Sequence, residues 1–309
     1  MAPHSSRPLL TLLTDFGTGD AFVGVMKGVI LGICPGARLV DLCHEVPPQD
    51  IQAGAFILET AYRYFPPGAI HLAVVDPGVG GERRAIAVRA AGFTFVAPDN
   101  GVLSYVLDAA EPEAAVAITN PAVMLQPVSR TFHGRDLFAP AAARLACGMP
   151  LEDLGPPLAH PRRFPVPRPA VGRDAIEAHV VHCDRFGNAI TDLDEPTFRR
   201  WLGAGDDRSV RMRAGSAEIR GLSGTYCEAL AGAPLAVFGS SGRLEVAVAG
   251  GSASALYHLE RGQPVRVERA PRRGAIHRAP GASPRASKPS ADSQPPRPSG
   301  RRRNQRTDR

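Results

Sequence analysis

Five short blocks of the 309-residue chain bring together residue types that could do chemistry. In Val75-Asp76-Pro77-Gly78-Val79-Gly80-Gly81-Glu82-Arg83-Arg84, glycines let backbone approach a ligand closely while Asp76 and Arg83 flank it. An Asp–Arg pair can hold a water and keep the carboxylate ionised. It can equally be a surface ion pair beside a tight turn. No Gly-Lys-Ser/Thr follows the glycines, so a phosphate loop is a poor fit. In Thr131-Phe132-His133-Gly134-Arg135-Asp136, just before a helical run, His133 is either a structural histidine or, beside Asp76, a proton acceptor titrating near neutral pH.

Thr14-Asp15-Phe16-Gly17-Thr18-Gly19-Asp20 follows a short apolar run, so Asp15 stands just past the carboxyl end of a strand, where open α/β sheets contact ligands. An ionised Asp15 could accept from both hydroxyls of a ribose; the alternative is a turn or helix cap. Asp184-Arg185-Phe186-Gly187-Asn188 is either a turn or a place where the Asn188 amide reads a polar edge. In Gly239-Ser240-Ser241-Gly242-Arg243-Leu244-Glu245 a polar loop enters a strand, and Glu245 is either an exposed charge or the partner of a ligand ammonium.

Apolar spacing supplies the elements that would carry these blocks. Over 8–160 it predicts strands at Leu9–Leu13, Leu39–Leu42, Ile70–Val75, Ala85–Val88 and Phe93–Ala97. Helices are predicted near Ala21–Ile33, Asp50–Tyr64, Val102–Leu107 and Gly134–Ala146. The expected fold class is α/β: an N-terminal layered domain with a central sheet. A Pro-rich stretch at Gly155–Val171 reads as a linker, bounded at 161–172. Over 173–269 short β candidates at Ala175–His182, Ser209–Met212, Pro234–Phe238, Leu244–Ala249 and Pro264–Glu268 predict a smaller all-β, barrel-like domain.

The net charge of +6 suggests a nucleic-acid partner until it is located. Residues 270–309 hold eleven Lys or Arg and two acids, a net of +9, leaving −3 for the rest. This Pro/Ser/Arg mixture reads as a disordered basic tail, through which alone nucleic acid would be contacted. Apolar residues make up 44% of the chain, enough for real cores. No apolar run reaches the roughly 18 residues of a membrane helix, and the first residues lack a secretory signal. Five cysteines without a CxxC pair suggest reduced thiols, so a cytoplasmic protein without a membrane partner is expected.

Taken in order, TDFGTGDAFVGVMKGVI, VVDPGVGGERR, APDNGVLS, TFHGRDLFAPAAA, DRFGNAIT and SSGRLEVAVAGGSA make the chain resemble the S-adenosyl-L-methionine (SAM) hydroxide adenosyltransferase family. That family is related to fluorinase and chlorinase, and the resemblance spans about residues 8–268. It implies hydrolysis of SAM to adenosine and L-methionine without metal or cofactor, in a homotrimer with sites between subunits. By motif position Asp76, Arg83 and His133 match the water-activating set. Asp15 matches the ribose-binding aspartate, with Asp20 near it. Phe186, Asn188 and Tyr226 would surround the purine or methionine moiety. Ser240 and Glu245 would hold the amino-acid end, and the Val248 backbone would meet adenine. The halogenating relatives carry an aromatic residue where Asp76 stands, so water is the nucleophile the resemblance implies here.

Three other functions use the same residues: a SAM-dependent 5′-halogenase, a non-catalytic SAM or adenosine sensor with a nucleic-acid-contacting tail, and a metal hydrolase built from Asp15, Asp20, Asp76, His133 and Asp136. Asp76 disfavours the first, and the absence of a compact ligand motif disfavours the last.

Overall fold

In a computed structural model that describes residues 7–269, Leu10, Leu12 and Leu13 of strand β1 (Leu9–Thr14) are all fully buried. Side chains alternate across a strand, so burial of both faces requires cover on both sides. β1 pairs in parallel with β2 (Arg38–Cys43) and β3 (Ile70–Val74). β4 (Ala85–Ala90) joins antiparallel to β5 (Phe93–Pro98), which lies parallel to β3. β6 (Ala114–Ala117) closes the order β2-β1-β3-β5-β4-β6.

Helices α1 (Phe22–Ile33), α2 (Ile51–Tyr62), α3 (Ser104–Ala109) and α4 (Ala139–Ala146) supply the cover. Met26 and Ile30 of α1 share a core with Leu10, Leu12, Leu72, Val74 and Phe138. On the other face Leu58 and Tyr62 of α2 and Val106 of α3 pack with Leu13, Ala73 and Val75. Asp50 starts α2 by accepting the Ala53 N–H at 3.0 Å, which satisfies one of the helix's free N-terminal donors. The helical run expected from Gly134 begins as a π-helical turn, Gly134–Phe138, before continuing as α4.

The remaining strands are β7 (Ala170–Val171), β8 (Ala175–Cys183), β9 (Ala189–Asp194), β10 (Val210–Ala214), β11 (Ala217–Arg220), β12 (Pro234–Phe238), β13 (Arg243–Val248) and β14 (Pro264–Arg269). They are antiparallel throughout, in the order β11-β10-β14-β8-β9-β13-β12, with β7 on β8. The two end strands approach each other, so the sheet is nearly closed. Its core takes Phe198, Trp201 and Leu202 from α5 (Glu195–Leu202); a short α6 (Ala253–Tyr257) follows β13. The mixed α/β class with a barrel-like β half is as expected.

Strands β6, β9 and β11 escape the sequence reading, as does the two-residue β7, which falls inside the stretch read as a linker. β9 is buried along nearly its whole length and shows no polar–apolar alternation; β6 and β11 are four residues each. The Pro-rich stretch is tied down rather than loose. The Arg162 N–H donates to Asp99 Oδ1 at 2.6 Å and the Phe164 N–H to Ser104 Oγ at 2.9 Å. The Phe164 ring stands edge-on to Tyr105. Among the described residues no helix is long and apolar enough to cross a membrane, and all five cysteines are free. The expected basic tail, 270–309, lies outside the described residues.

Candidate active site

Three neighbouring strands, β1, β3 and β5, run parallel and end at Thr14, Val74 and Pro98. The chain runs on from them into Asp15, Val75-Asp76 and Asp99-Asn100, so all three motif loops start from one edge of the sheet. Asn100 Nδ2 donates to the Val75 carbonyl at 2.8 Å, fixing the backbone just before Asp76. Arg84 Nε donates to Asp99 Oδ2 at 2.8 Å and anchors the far end of the same loop.

Between those anchors Arg83 turns onto Asp76. Arg83 Nε donates to Asp76 Oδ1 at 2.8 Å, and Nη2 donates to Oδ2 at 2.5 Å. The side chains are only 8% and 4% exposed, which separates this pair from a surface ion pair. Arg83 Nη2 also lies 2.6 Å from His133 Nδ1, so one guanidinium joins the carboxylate to the imidazole. A guanidinium can only donate, which assigns Nδ1 as acceptor and leaves the ring proton on Nε2. Burial, then the Arg83 charge, holds the His133 pKa below the ordinary histidine value. Gly80 has φ +76°, and a Cβ there would meet the Arg130 carbonyl at 2.2 Å. This loop therefore lies close against the segment leading to His133.

Asp15 is held from its own side. The Gln49 N–H donates to Asp15 Oδ2 at 2.8 Å, and Thr14 Oγ1 pairs with His44 Nδ1 at 2.8 Å. The Gly17 N–H donates to the His44 carbonyl at 2.7 Å. Phe16 packs edge-on against Phe132, so the residues next to Asp15 and His133 touch. Asp20 is placed apart, in a shallow depression shared with Lys27, Asp41 and His44.

The second group of predicted residues lines a separate cavity of about 1070 Å³ between α2 and the barrel. Phe186, Asn188, Tyr226, Ser240, Glu245 and Val248 all face it. Tyr226 Oη donates to Glu245 Oε2 at 2.6 Å. Gly239 is required by this arrangement, since a Cβ there would fall 1.7 Å from Glu245 Oε1. Burial, with nearby Asp184 adding to it, raises the Glu245 pKa despite the Tyr226 hydrogen bond.

Asp184 itself lines the cavity and organises it, a role the sequence reading missed. Its Oδ1 accepts the N–H groups of Phe186 and Asn188, each at 2.9 Å, and its Oδ2 accepts from Asn188 Nδ2 at 2.9 Å. The signal was its position two residues before Phe186, the spacing of an Asx turn. A cavity walled by two carboxylates and aromatic side chains suits an apolar ring system bearing a cationic group.

The structure thus assembles two sets: Asp76, Arg83 and His133 with the Asp15 loop beside them, and the six cavity residues. Asp76, Arg83 and His133 are not among the residues lining the cavity of their own chain. Among the described residues no group of three or more His, Cys, Asp or Glu is placed to hold a metal ion.

Two family models match the chain: the SAM hydroxide adenosyltransferase N-terminal domain over residues 10–155 and its C-terminal domain over 178–266. An (R)-S-adenosyl-L-methionine hydrolase of Thermus thermophilus is 42% identical over 270 residues, covering 84% of this chain and 99% of that protein. A fluorinase of Nocardia brasiliensis is 29% identical, covering 86% and 98%. The crystal structure of an uncharacterized conserved protein from Thermotoga maritima superposes with a TM-score of 0.79 at 35% identity, covering 84% of this chain and all of that one. On these matches, spanning both halves of the fold, the chain belongs to the SAM hydroxide adenosyltransferase family.

Proposed function

We propose that the protein hydrolyses SAM to adenosine and L-methionine, with water attacking the ribose 5′-carbon. We extend to this chain the (R) form that the names of its hydrolase relatives specify. The observation that carries the proposal is the buried Asp76–Arg83–His133 network. The sulfonium leaves as a neutral thioether, so the protein need not protonate it. What remains is to place one water in line behind the 5′-carbon and exclude competitors.

Asp76 accepts three contacts from Arg83 within 3.0 Å. A carboxylate has about four lone-pair directions, so room remains for a water hydrogen. His133, neutral with Nδ1 committed to Arg83, presents Nε2–H as a donor to the water oxygen. In this division Asp76 takes the proton as attack proceeds, His133 orients the nucleophile, and Arg83 fixes both. Oriented attack can supply on the order of 7–11 kcal/mol of barrier reduction. Asp15 binds the ribose hydroxyls, and Asp20 contributes from the periphery. Phe186, Asn188, Tyr226 and the Val248 backbone hold the aromatic and methionine portions. Ser240 and Glu245 hold the amino-acid end.

The two residue sets meet across a subunit boundary in a homotrimer. Exposed Phe22, Val25 and Leu31 on α1 and Val40 on edge strand β2 support burial of this face against another copy. The reaction requires neither metal nor cofactor, since the electrophile carries its own charge, and we place it in the cytoplasm. Halide chemistry is disfavoured because the buried carboxylate repels an anion and attracts a water proton. Incubation with SAM, with and without EDTA and with added chloride or fluoride, is expected to yield adenosine and methionine in equal amounts under every condition. A halide-dependent 5′-halogenated nucleoside, or loss of both products in EDTA, would overturn the proposal.

A further inference from the structure

The loop that holds Asp15 is itself held from the other half of the fold. Arg261, in the turn before β14, sends Nη1 to Asp50 Oδ1 at 2.7 Å and Nη2 to Asp50 Oδ2. Nη1 also reaches Gln52 Oε1 at 3.2 Å. The turn carrying Arg261 is fixed to the barrel: the Gly262 N–H donates to the Val180 carbonyl at 2.8 Å and the Val180 N–H to the Gln263 carbonyl at 2.9 Å. Asp50 is therefore gripped by a rigid arm while it caps α2 through the Ala53 N–H.

One residue earlier, Gln49 sits at φ +66°, a left-handed conformation that few non-glycine residues adopt. In that conformation its N–H points to Asp15 Oδ2. The constraint is visible on both sides: the Asp50 N–H donates to the Pro47 carbonyl at 3.0 Å, and Arg261 clamps the Asp50 carboxylate. The path from barrel to ribose aspartate is thus Arg261, Asp50, Gln49, Asp15, each step a hydrogen bond or a shared backbone.

We propose that Arg261 is a positioning residue for substrate binding, which sets the orientation of the Asp15 carboxylate through Asp50 and the strained Gln49 backbone. It touches no substrate. It couples the placement of the barrel to the shape of the ribose pocket on the same chain. This rests on Asp15 as the ribose-binding residue.

The test is a double-mutant cycle on the full chain, read as KM for SAM against kcat. R261Q is expected to raise KM about fivefold or more, the lower end of indirect coupling between sites, with kcat changed by less than about twofold. D50S keeps the helix cap but removes the arm that Arg261 grips, and is expected to reproduce the R261Q effect. In a D15A background the R261Q penalty is expected to disappear, because nothing remains to orient. An equal penalty in both backgrounds, or an unchanged KM in R261Q and D50S, overturns the proposal. An unchanged KM in D15A alone overturns the ribose assignment beneath it.

Discussion

Replacing Arg83 with Lys perturbs the network while keeping its charge. Arg83 makes three separate short contacts: Nε with Asp76 Oδ1, Nη2 with Asp76 Oδ2, and Nη2 with His133 Nδ1. Its guanidinium carbon also lies 5.2 Å from the Phe138 ring centre. A lysine ammonium is a point donor and cannot span carboxylate and imidazole in this fork geometry. Charge-assisted hydrogen bonds contribute about 1.5–3 kcal/mol each, and with one such bond's worth lost from the oriented water complex kcat falls roughly 10- to 150-fold. KM is expected to stay within about threefold, because the cavity residues proposed to hold the substrate are untouched. Steady-state release of adenosine, quantified by chromatography across SAM concentrations, separates the two parameters, and circular dichroism checks folding. A folded R83K enzyme with wild-type kcat, or one in which KM alone moves, would refute the role given to Arg83.

Asp76→Ala is expected to lower kcat by about a hundred- to ten-thousand-fold, the span of a lost general base, while calorimetry still detects SAM binding. Glu245→Gln should raise KM for SAM with little change in kcat. In the wild-type enzyme KM should climb as pH falls through the raised Glu245 pKa, because the protonated acid no longer attracts an ammonium; a pH-independent KM would contradict this. His133, held below its ordinary pKa, is neutral across the physiological range, so kcat should fall only below the usual histidine pH. A loss of activity on the alkaline side of pH 6.5 would count against that assignment. Gly239→Ala drives a methyl into the Glu245 carboxylate and should raise KM as Glu245→Gln does.

Much of the candidate site was legible because its residues sit in blocks where glycine, a carboxylate and a strand end coincide. Arg83 and His133 stand 50 residues apart along the chain and Asp76 lies before both, yet each falls inside such a block. Phe186, Asn188, Ser240, Glu245 and Val248 were readable in the same way. Asp184 was passed over because its work is local scaffolding, which looks like any turn aspartate. The clamp from Arg261 to Asp50 joins residues 211 apart with no pattern around Arg261, so only the folded chain reveals it. β9 was missed for a related reason: buried on both faces, Ala189–Asp194 loses the alternation that marks a half-exposed strand. The Pro-rich stretch lacks periodicity too, yet backbone donors at Arg162 and Phe164 order it by binding Asp99 and Ser104.

The most direct test of the central claim is the origin of the adenosine 5′-oxygen. Turnover of SAM in ¹⁸O-labelled water is predicted to place one ¹⁸O atom on adenosine and none on methionine, as mass spectrometry of both products would read. Adenosine without the label, or a 5′-substituent other than hydroxyl, would contradict attack by an Asp76-held water.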